Sequence, residues 1–123
     1  MTITETTILH RPPTWLPGAD EGTVCRLVQD VVAACFAVSP EQMRAGSRGR
    51  APAAFARQVA MYLTHVVLGL NYSAAGRMFH RDRTTVAHAC RVVEDRRDNP
   101  CTDALLQALE DVLGAFTRTR LLR

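Results

Sequence analysis

The feature that most constrains the fold of this chain is the helical spacing of its apolar residues. In the first such run they recur at i, i+3, i+4, i+7 and i+8: Val24, Leu27, Val28, Val31 and Val32. Residues at this spacing form one face of an amphipathic helix. No segment shows the alternation of a strand, and no internal repeat is present, so the sequence predicts an all-α fold of about five or six helices.

Cap residues divide the predicted helices. The first runs from about Thr23 to Phe36, and Ser39-Pro40-Glu41-Gln42 then forms a capping box that starts a short second helix carrying Met43. Residues 44–54, with two glycines and a proline, predict a basic loop. A third helix is expected over 55–68, with Gly69 as its C-cap and an inward face made of Val59, Tyr62, Leu63, Val66 and Val67.

Three further helices are predicted after Gly69. Asn71 or Ser73 caps a short helix that ends at Phe79, and Asp82 caps a longer one over 83–97. The inward face of the longer helix holds Val86, Ala89, Cys90 and Val93. The last helix is expected over 102–117. Its broad apolar stripe is interpreted as part of the core in preference to a dimer seam. The stripe consists of Leu105, Leu106, Leu109, Val112, Leu113 and Phe116.

The predicted helices define one domain with two extensions. Residues 1–21 contain three of the six prolines and predict an extended arm, 22–117 form the domain, and 118–123 form a basic C-terminal tail. Trp15 in the arm either packs on the core or serves a partner, and packing is favoured because a large aromatic gains most from burial.

Several classes of protein are disfavoured. No run of about 18 apolar residues predicts a membrane span, and the N-terminus lacks a signal-peptide pattern, so we expect a cytoplasmic protein. Cys25, Cys35, Cys90 and Cys101 form no metal-binding or redox spacing, and buried reduced thiols are predicted, with no metal or cofactor. No nucleophile or paired carboxylate suggests an enzyme.

Charge is unevenly distributed along the chain. Ten of the fifteen arginines but only three of the twelve acidic residues fall between Arg44 and Arg97, although the net charge is only +3. A basic block within an otherwise acidic small protein is typical of a nucleic-acid-binding face.

Within this block, the short helix, three-residue turn and longer helix have the layout of a helix-turn-helix. The longer helix opens with Asp82, Arg83, Thr84 and Thr85. The Asp82 carboxylate can accept from a cytosine amine, and the Arg83 guanidinium can donate two hydrogen bonds to a guanine. The two threonines add hydroxyl and methyl groups. This set of groups suits readout of base edges in the major groove.

The same segments carry a resemblance to a known family. Residues 57–63 read RQVAMYL, 76–79 read GRMF and 81–90 read RDRTTVAHAC, while 36–41 read FAVSPE. They resemble the C-terminal DNA-binding domain, domain IV, of the bacterial replication initiator DnaA, whose patterns run approximately R-Q-x-A-M-Y-L, I-G-x-x-F, R-D-H-T-T-V-x-H-A and Y-F-G-V-S-x-E. The resemblance covers about residues 22–117 and implies an all-α fold of the Trp-repressor type.

The resemblance implies roles for individual residues. Asp82, Thr84 and Thr85 match the family's major-groove contacts, and Arg83 stands where the family has a base-reading His. Arg48 or Arg50 matches a minor-groove arginine. Contacts to the DNA backbone are expected from Arg57, Gln58, Arg81, His88 and Arg91.

This chain also departs from the family pattern. Before Arg81-Asp82 the family has Gly-Gly, whereas this chain has only His80, which predicts a shorter turn. Arg83 favours guanine over thymine, so the preferred site should differ from the standard DnaA box. No P-loop motif is present, so neither nucleotide binding nor DNA melting is expected.

Sequence-specific binding of double-stranded DNA, in control of transcription or replication initiation, is the function that these observations favour, and it implies a nucleoid location. Two alternatives are open. One is a protein adaptor that modulates the replication initiator or its inactivating factor through the Trp15 arm or the last helix. The other is a nonspecific architectural DNA binder, which would lose affinity with salt equally on all sequences.

Overall fold

The computed structural model describes residues 21–44 and 51–121, and for Glu21, Ala51 and 117–121 only the backbone. The predicted arm lies outside this part of the chain. All regular elements in the described residues are helices, which confirms the all-α prediction: α1 Glu21–Cys35, α2 Pro40–Arg44, α3 Ala51–Val66, α4 Tyr72–Phe79, α5 Arg83–Arg96 and α6 Pro100–Leu121.

The first helix ends in a Schellman turn. Ala37 adopts a left-handed conformation with φ of 55°, and the Val38 amide donates to the Ala33 carbonyl over 2.9 Å. The predicted capping box then starts α2. The Ser39 hydroxyl accepts from the Gln42 amide, and the Gln42 side chain accepts from the Ser39 amide, both over 3.0 Å.

Helix α3 lies at the centre of the molecule, with Ala56, Val59, Ala60 and Leu63 fully buried. The prediction of a loop up to residue 54 was wrong, because α3 begins at Ala51. A proline is tolerated in the first turn, where backbone N–H groups have no partner within the helix, and the alanines that follow are strong helix formers.

Helices α5 and α6 close the core over α3. The predicted inward face of α5 is confirmed, since its four apolar residues Val86, Ala89, Cys90 and Val93 are all buried. Helix α6 runs four residues beyond its predicted end at 117 and packs inward through Leu106, Leu109 and Leu113.

Some predicted core positions are exposed instead. Val66 is 43% exposed, Leu105 36% and Val112 62%. The prediction of buried thiols was right for Cys25 and Cys90 and wrong for Cys35 and Cys101. Each misplaced residue lies at the edge of an apolar stripe or near a helix end, where helical spacing alone does not fix how far the neighbouring helix extends.

Candidate nucleic-acid interface

The turn between α4 and α5 consists of residues 80–82, as predicted. Asn71 caps α4 by accepting from the Ala74 amide over 2.8 Å. At the other end, His80 adopts a left-handed conformation with φ of 57°, and the Arg81 amide donates to the Gly76 carbonyl over 2.9 Å. A single left-handed residue in a Schellman turn therefore reverses the chain where the family pattern has two glycines.

Gly76 allows this turn to fold close against α4. A Cβ atom at this position would lie 2.4 Å from the Arg81 carbonyl oxygen, a backbone atom that cannot move away independently. No role for Gly76 was predicted from the sequence. A glycine inside a short predicted helix was the available signal, because it often marks a close approach of two backbone segments.

Asp82 caps the N-terminus of α5. Its Oδ1 accepts from the Thr85 amide over 2.9 Å and from the Thr84 hydroxyl over 2.6 Å. The hydrogen bond from the Thr84 side chain, followed by that from the Thr85 amide, lowers the pKa of the Asp82 carboxyl below its ordinary value. The carboxylate is thus held ionised and oriented at the end of the helix.

The outer face of α5 is free for contact with a ligand. Arg83, Thr84, His88 and Arg91 are exposed, and Thr85 is half-buried. Within 21–44 and 51–121, the side chains of Arg83, His88 and Arg91 make no hydrogen bond or ion pair. The predicted major-groove residues therefore share one accessible end of a helix whose opposite face is fixed in the core.

Arg57 and Gln58, the predicted backbone contacts on α3, differ in exposure. Gln58 is half-buried, whereas Arg57 is only 6% exposed, and its Nη1 donates to the Gln42 carbonyl over 2.7 Å. Burial, followed by repulsion from Arg81, lowers the pKa of the Arg57 guanidinium. The Arg57 side chain thus links α3 to α2. Its lowered pKa also shows that another positive charge lies nearby.

Arg57 lines an open groove of about 710 Å³ between the start of α1, α2, α3 and the turn after α4. Four arginines line this arginine groove, as we term it, and none of its described lining residues is Asp or Glu: Arg26, Arg44, Arg57 and Arg81. Outside the lining, Asp30 makes only a loose ion pair with Arg44, at 3.9 Å. Such a groove is electrostatically suited to an anionic ligand.

The arginine groove brings together residues that the sequence analysis treated separately. Arg81 directly precedes the cap of α5, and Arg44 directly precedes the segment containing Arg48 and Arg50, both of which lie outside the described residues. Arg26 was not predicted as a site residue, and Arg44 was counted only as part of the basic block. No motif marks either, because their proximity arises from the packing of α1 and α2 on α3.

Two other kinds of feature are absent from the part of the chain that the structure describes. In residues 21–44 and 51–121, no group of three or more His, Cys, Asp or Glu residues could hold a metal ion. No helix there is both long and apolar enough to cross a membrane.

Comparison with known proteins gives a consistent family match. A family model described as the bacterial dnaA protein helix-turn-helix matches residues 25–93. The chromosomal replication initiator protein DnaA of Desulfotalea psychrophila is 34% identical over 83 residues, covering 66% of this chain and 17% of the relative. DnaA of Mesorhizobium japonicum is 40% identical over 84 residues, covering 68% and 16%. The chain therefore spans about one sixth of the length of these relatives.

A solved structure gives a corresponding match. A crystal structure of a DNA replication initiation factor superposes with a TM-score of 0.68 at 30% sequence identity, over 77% of this chain and 29% of that protein. The similarity thus extends over most of the described helices.

Proposed function

The chain belongs to the bacterial DnaA helix-turn-helix family, a family of DNA-binding domains, and from this premise we propose that it is a sequence-specific DNA-binding regulator of transcription or replication initiation. Its target is a duplex site related to the DnaA box. The single observation that carries this proposal is the position of the arginine groove directly beside the exposed N-terminus of α5.

The major-groove contacts come from the start of α5. Arg83 has an exposed guanidinium that can place two N–H donors on the O6 and N7 atoms of a guanine. Asp82 can accept from a cytosine amine, while Thr84 and Thr85 add hydroxyl and methyl contacts. Since the cap bonds hold Asp82 and Thr84 in place before binding, little ordering is required when DNA enters.

The arginine groove provides the contact to the sugar-phosphate backbone. Arg57 is buried beside Arg81 without a carboxylate in the groove, so a phosphate would supply the missing negative charge to both. Gln58, His88 and Arg91 extend this set of backbone contacts. Phosphate contacts of this kind fix the orientation of a protein on the duplex, while base contacts select the sequence.

Arg48 or Arg50 completes the interface in the minor groove. The segment that contains them begins immediately after Arg44, at the α2 end of the arginine groove. We propose that one sugar-phosphate strand of the DNA lies in the arginine groove. On one side of that strand α5 would read the major groove, and on the other side this segment would enter the minor groove. An arginine there responds to groove width more than to base identity.

The proposed role is binding without remodelling of the duplex. These 123 residues contain no P-loop motif, so the proposal includes no nucleotide-driven step. Double-stranded DNA is the proposed partner, and binding to it would place the protein at the nucleoid.

The salt dependence of DNA binding tests the groove contacts. We expect Arg81→Gln to reduce the slope of log affinity against log salt by about one, because one phosphate contact is lost. Arg96→Gln is the matched control, since Arg96 lies at the far end of α5, 4.5 Å above the Phe55 ring, and should leave the slope unchanged. Fluorescence anisotropy with a labelled duplex measures both, and equal slopes for both variants would contradict the proposal.

The minor-groove assignment has its own test. Replacing both Arg48 and Arg50 with Ala should weaken binding to all duplexes about equally and lower the salt slope by about one for each contact made. A slope equal to that of the wild type would show that this segment does not touch DNA.

A further inference from the structure

Gln29 of α1 is only 7% exposed, and its side chain has no hydrogen bond in the part of the chain that the structure describes. Two other polar residues in this part are as buried, and both have a partner. The Thr64 hydroxyl donates to the Ala60 carbonyl over 2.8 Å, and Arg57 donates to the Gln42 carbonyl over 2.7 Å. Buried polar groups are nearly always hydrogen-bonded, so the amide of Gln29 points to a ligand.

The Gln29 side chain faces the arginine groove. Four residues of α1 at the i, i+3, i+4 and i+7 positions of one helix face line this groove: Gly22, Cys25, Arg26 and Gln29. The lining also includes the buried side chains of Met43 and Met61. Thioethers donate no hydrogen bond and accept only weakly, so they do not satisfy an amide. The partner that Gln29 lacks would therefore have to enter through the open groove.

The charges of the groove determine the kind of ligand that this amide would meet. The described lining contains four arginines and neither Asp nor Glu, which favours an anion. Arg57 uses one of its five N–H donors on the Gln42 carbonyl, which leaves the others for a ligand. Burial, followed by repulsion from Arg81, lowers the pKa of Arg57, so the two guanidinium groups lie close together. A phosphate group, whose oxygens accept several hydrogen bonds at once, matches this set of donors.

We propose that the arginine groove contains a phosphate subsite in which the side-chain amide of Gln29 donates to a phosphate that Arg57 and Arg81 also bind. This role of Gln29 rests on the proposed function, since the phosphate belongs to the DNA backbone. Each arginine contact releases about one counterion, whereas the neutral amide releases none. Gln29 would therefore add affinity for DNA without adding to the salt dependence of binding.

Gln29→Met separates a phosphate ligand from a structural residue, because methionine keeps the length of the side chain but cannot donate a hydrogen bond. We expect the affinity for every duplex to fall about tenfold, since a hydrogen bond to a charged group is lost, while the salt slope stays equal to that of the wild type. The urea midpoint should stay the same or rise, because the amide has no partner in the free protein. Fluorescence anisotropy at about 50 to 200 mM salt and urea unfolding measure the two quantities.

Gln107→Met is the matched control. It makes the same chemical change on α6, where the Gln107 amide already donates to Asp111 over 3.0 Å, so it should lower the urea midpoint slightly and leave the affinity for DNA unchanged. Gln29→Glu is a second variant that keeps the shape of the side chain. Its carboxylate would pair with the arginines of the groove and repel a phosphate, so affinity should fall further than in Gln29→Met while the fold persists.

A double-mutant cycle tests whether one phosphate is shared. Gln29→Met combined with Arg81→Gln should weaken binding by less than the product of the two single losses, because both side chains would contact the same group. Fully multiplicative losses would overturn the shared subsite. Either Gln29 variant binding DNA as tightly as the wild type, or a fall in the urea midpoint of Gln29→Met larger than that of the control, would overturn the role of Gln29 and leave the proposed function standing. A wild type that binds no duplex would overturn both.

Discussion

The two ends of helix α5 carry the same residue type in opposite environments. At the N-terminal end, Arg83 is exposed and makes no hydrogen bond or ion pair within the described residues. At the C-terminal end, the Arg97 side chain is only 15% exposed and binds four neighbours. One arginine is held by the protein, and the other has no partner among the described residues.

Arg97 joins α5 to both α3 and α6. Its guanidinium donates to Asp103 over 2.6 Å, to the Tyr62 hydroxyl over 2.9 Å, and to Gln107 and Glu110. The hydrogen bond to Asp103 is the main cause of the raised pKa of Arg97. This network fixes the base of α5 and so sets the direction in which its N-terminus points.

The contrast separates a network that stabilises the fold from a helix end that we propose contacts DNA. Polar groups that are satisfied within the protein add little new interaction when a ligand binds, whereas the side chains of Arg83, His88 and Arg91, which have no partner among the described residues, keep their full capacity for it.

Arg97→Ala should lower the free energy of unfolding by about 3 kcal/mol, because Asp103 and Glu110 would lose a shared, mostly buried cation. Arg83→Ala, at the other end of α5, should change it by no more than about 0.5 kcal/mol. Urea unfolding followed by circular dichroism measures both. Similar losses in the two variants would contradict the division between the two ends.

Gly76→Ala should cost about 2 kcal/mol and also weaken DNA binding, because the new Cβ would push the turn that carries Arg81 away from α4. Gly69→Ala serves as the control. Its φ of 76° is strained for alanine, but nothing lies within 4 Å of the added atom, so the cost should be about 1 kcal/mol with DNA affinity preserved. Equal losses of stability and of DNA affinity in the two variants would show that the turn moves away from the new Cβ atom at little cost.

Tyr62→Phe should cost about 1 kcal/mol near neutral pH, since the hydroxyl donates to Glu94 over 2.9 Å and accepts from Arg97. Burial, followed by the bond to Glu94, raises the pKa of Tyr62 to about 12. The folded state therefore holds this proton more tightly than the unfolded state, and the stabilisation is present below the ordinary value near 10 and lost as pH rises towards 12.

The gap between wild type and Tyr62→Phe should therefore narrow as the pH is raised. Burial also raises the pKa of Cys90 to about 11, but that thiol is common to both proteins and cancels in the difference. Urea unfolding at about pH 7.5, 9.5 and 11 gives the comparison. A gap that stays constant over this range would contradict the assigned environment of Tyr62.

The smallest expected effect is a gain of about 0.5 to 1 kcal/mol for Ala37→Gly, which relieves a left-handed conformation at φ of 55°. The family pattern has glycine at this position. Ala34→Gly, three residues earlier on the exposed side of α1, should be destabilising instead. A loss of stability in both variants would show that Ala37 is not strained.

The sequence predicted what depends on local chemistry. The capping box at Ser39, the cap at Asp82 and the buried face of α5 all follow from residue type and spacing, and the structure confirms them. The four neighbours of Arg97 could not be predicted, because their meeting depends on how α6 folds back after the turn and on where Tyr62 of α3 packs. The arginine groove likewise depends on how α1 and α2 pack on α3.

The exposed residues of α6 were predicted wrongly for a different reason. Apolar spacing correctly identified a helix, but it could not tell which of Leu105, Leu106 and Val112 would meet the core, since spacing does not fix how a helix is rotated against its neighbours.

Selection of bound duplexes from a random library, by the wild type and by Arg83→His, tests whether the N-terminus of α5 reads DNA. We expect the wild type to select one site, and the variant a site changed at one or two adjacent base pairs towards the standard DnaA box. The variant should bind the wild-type site about 1 to 3 kcal/mol more weakly, with nonspecific affinity nearly unchanged. Identical sites for both proteins, or no selected site for either, would contradict a base-reading role for Arg83.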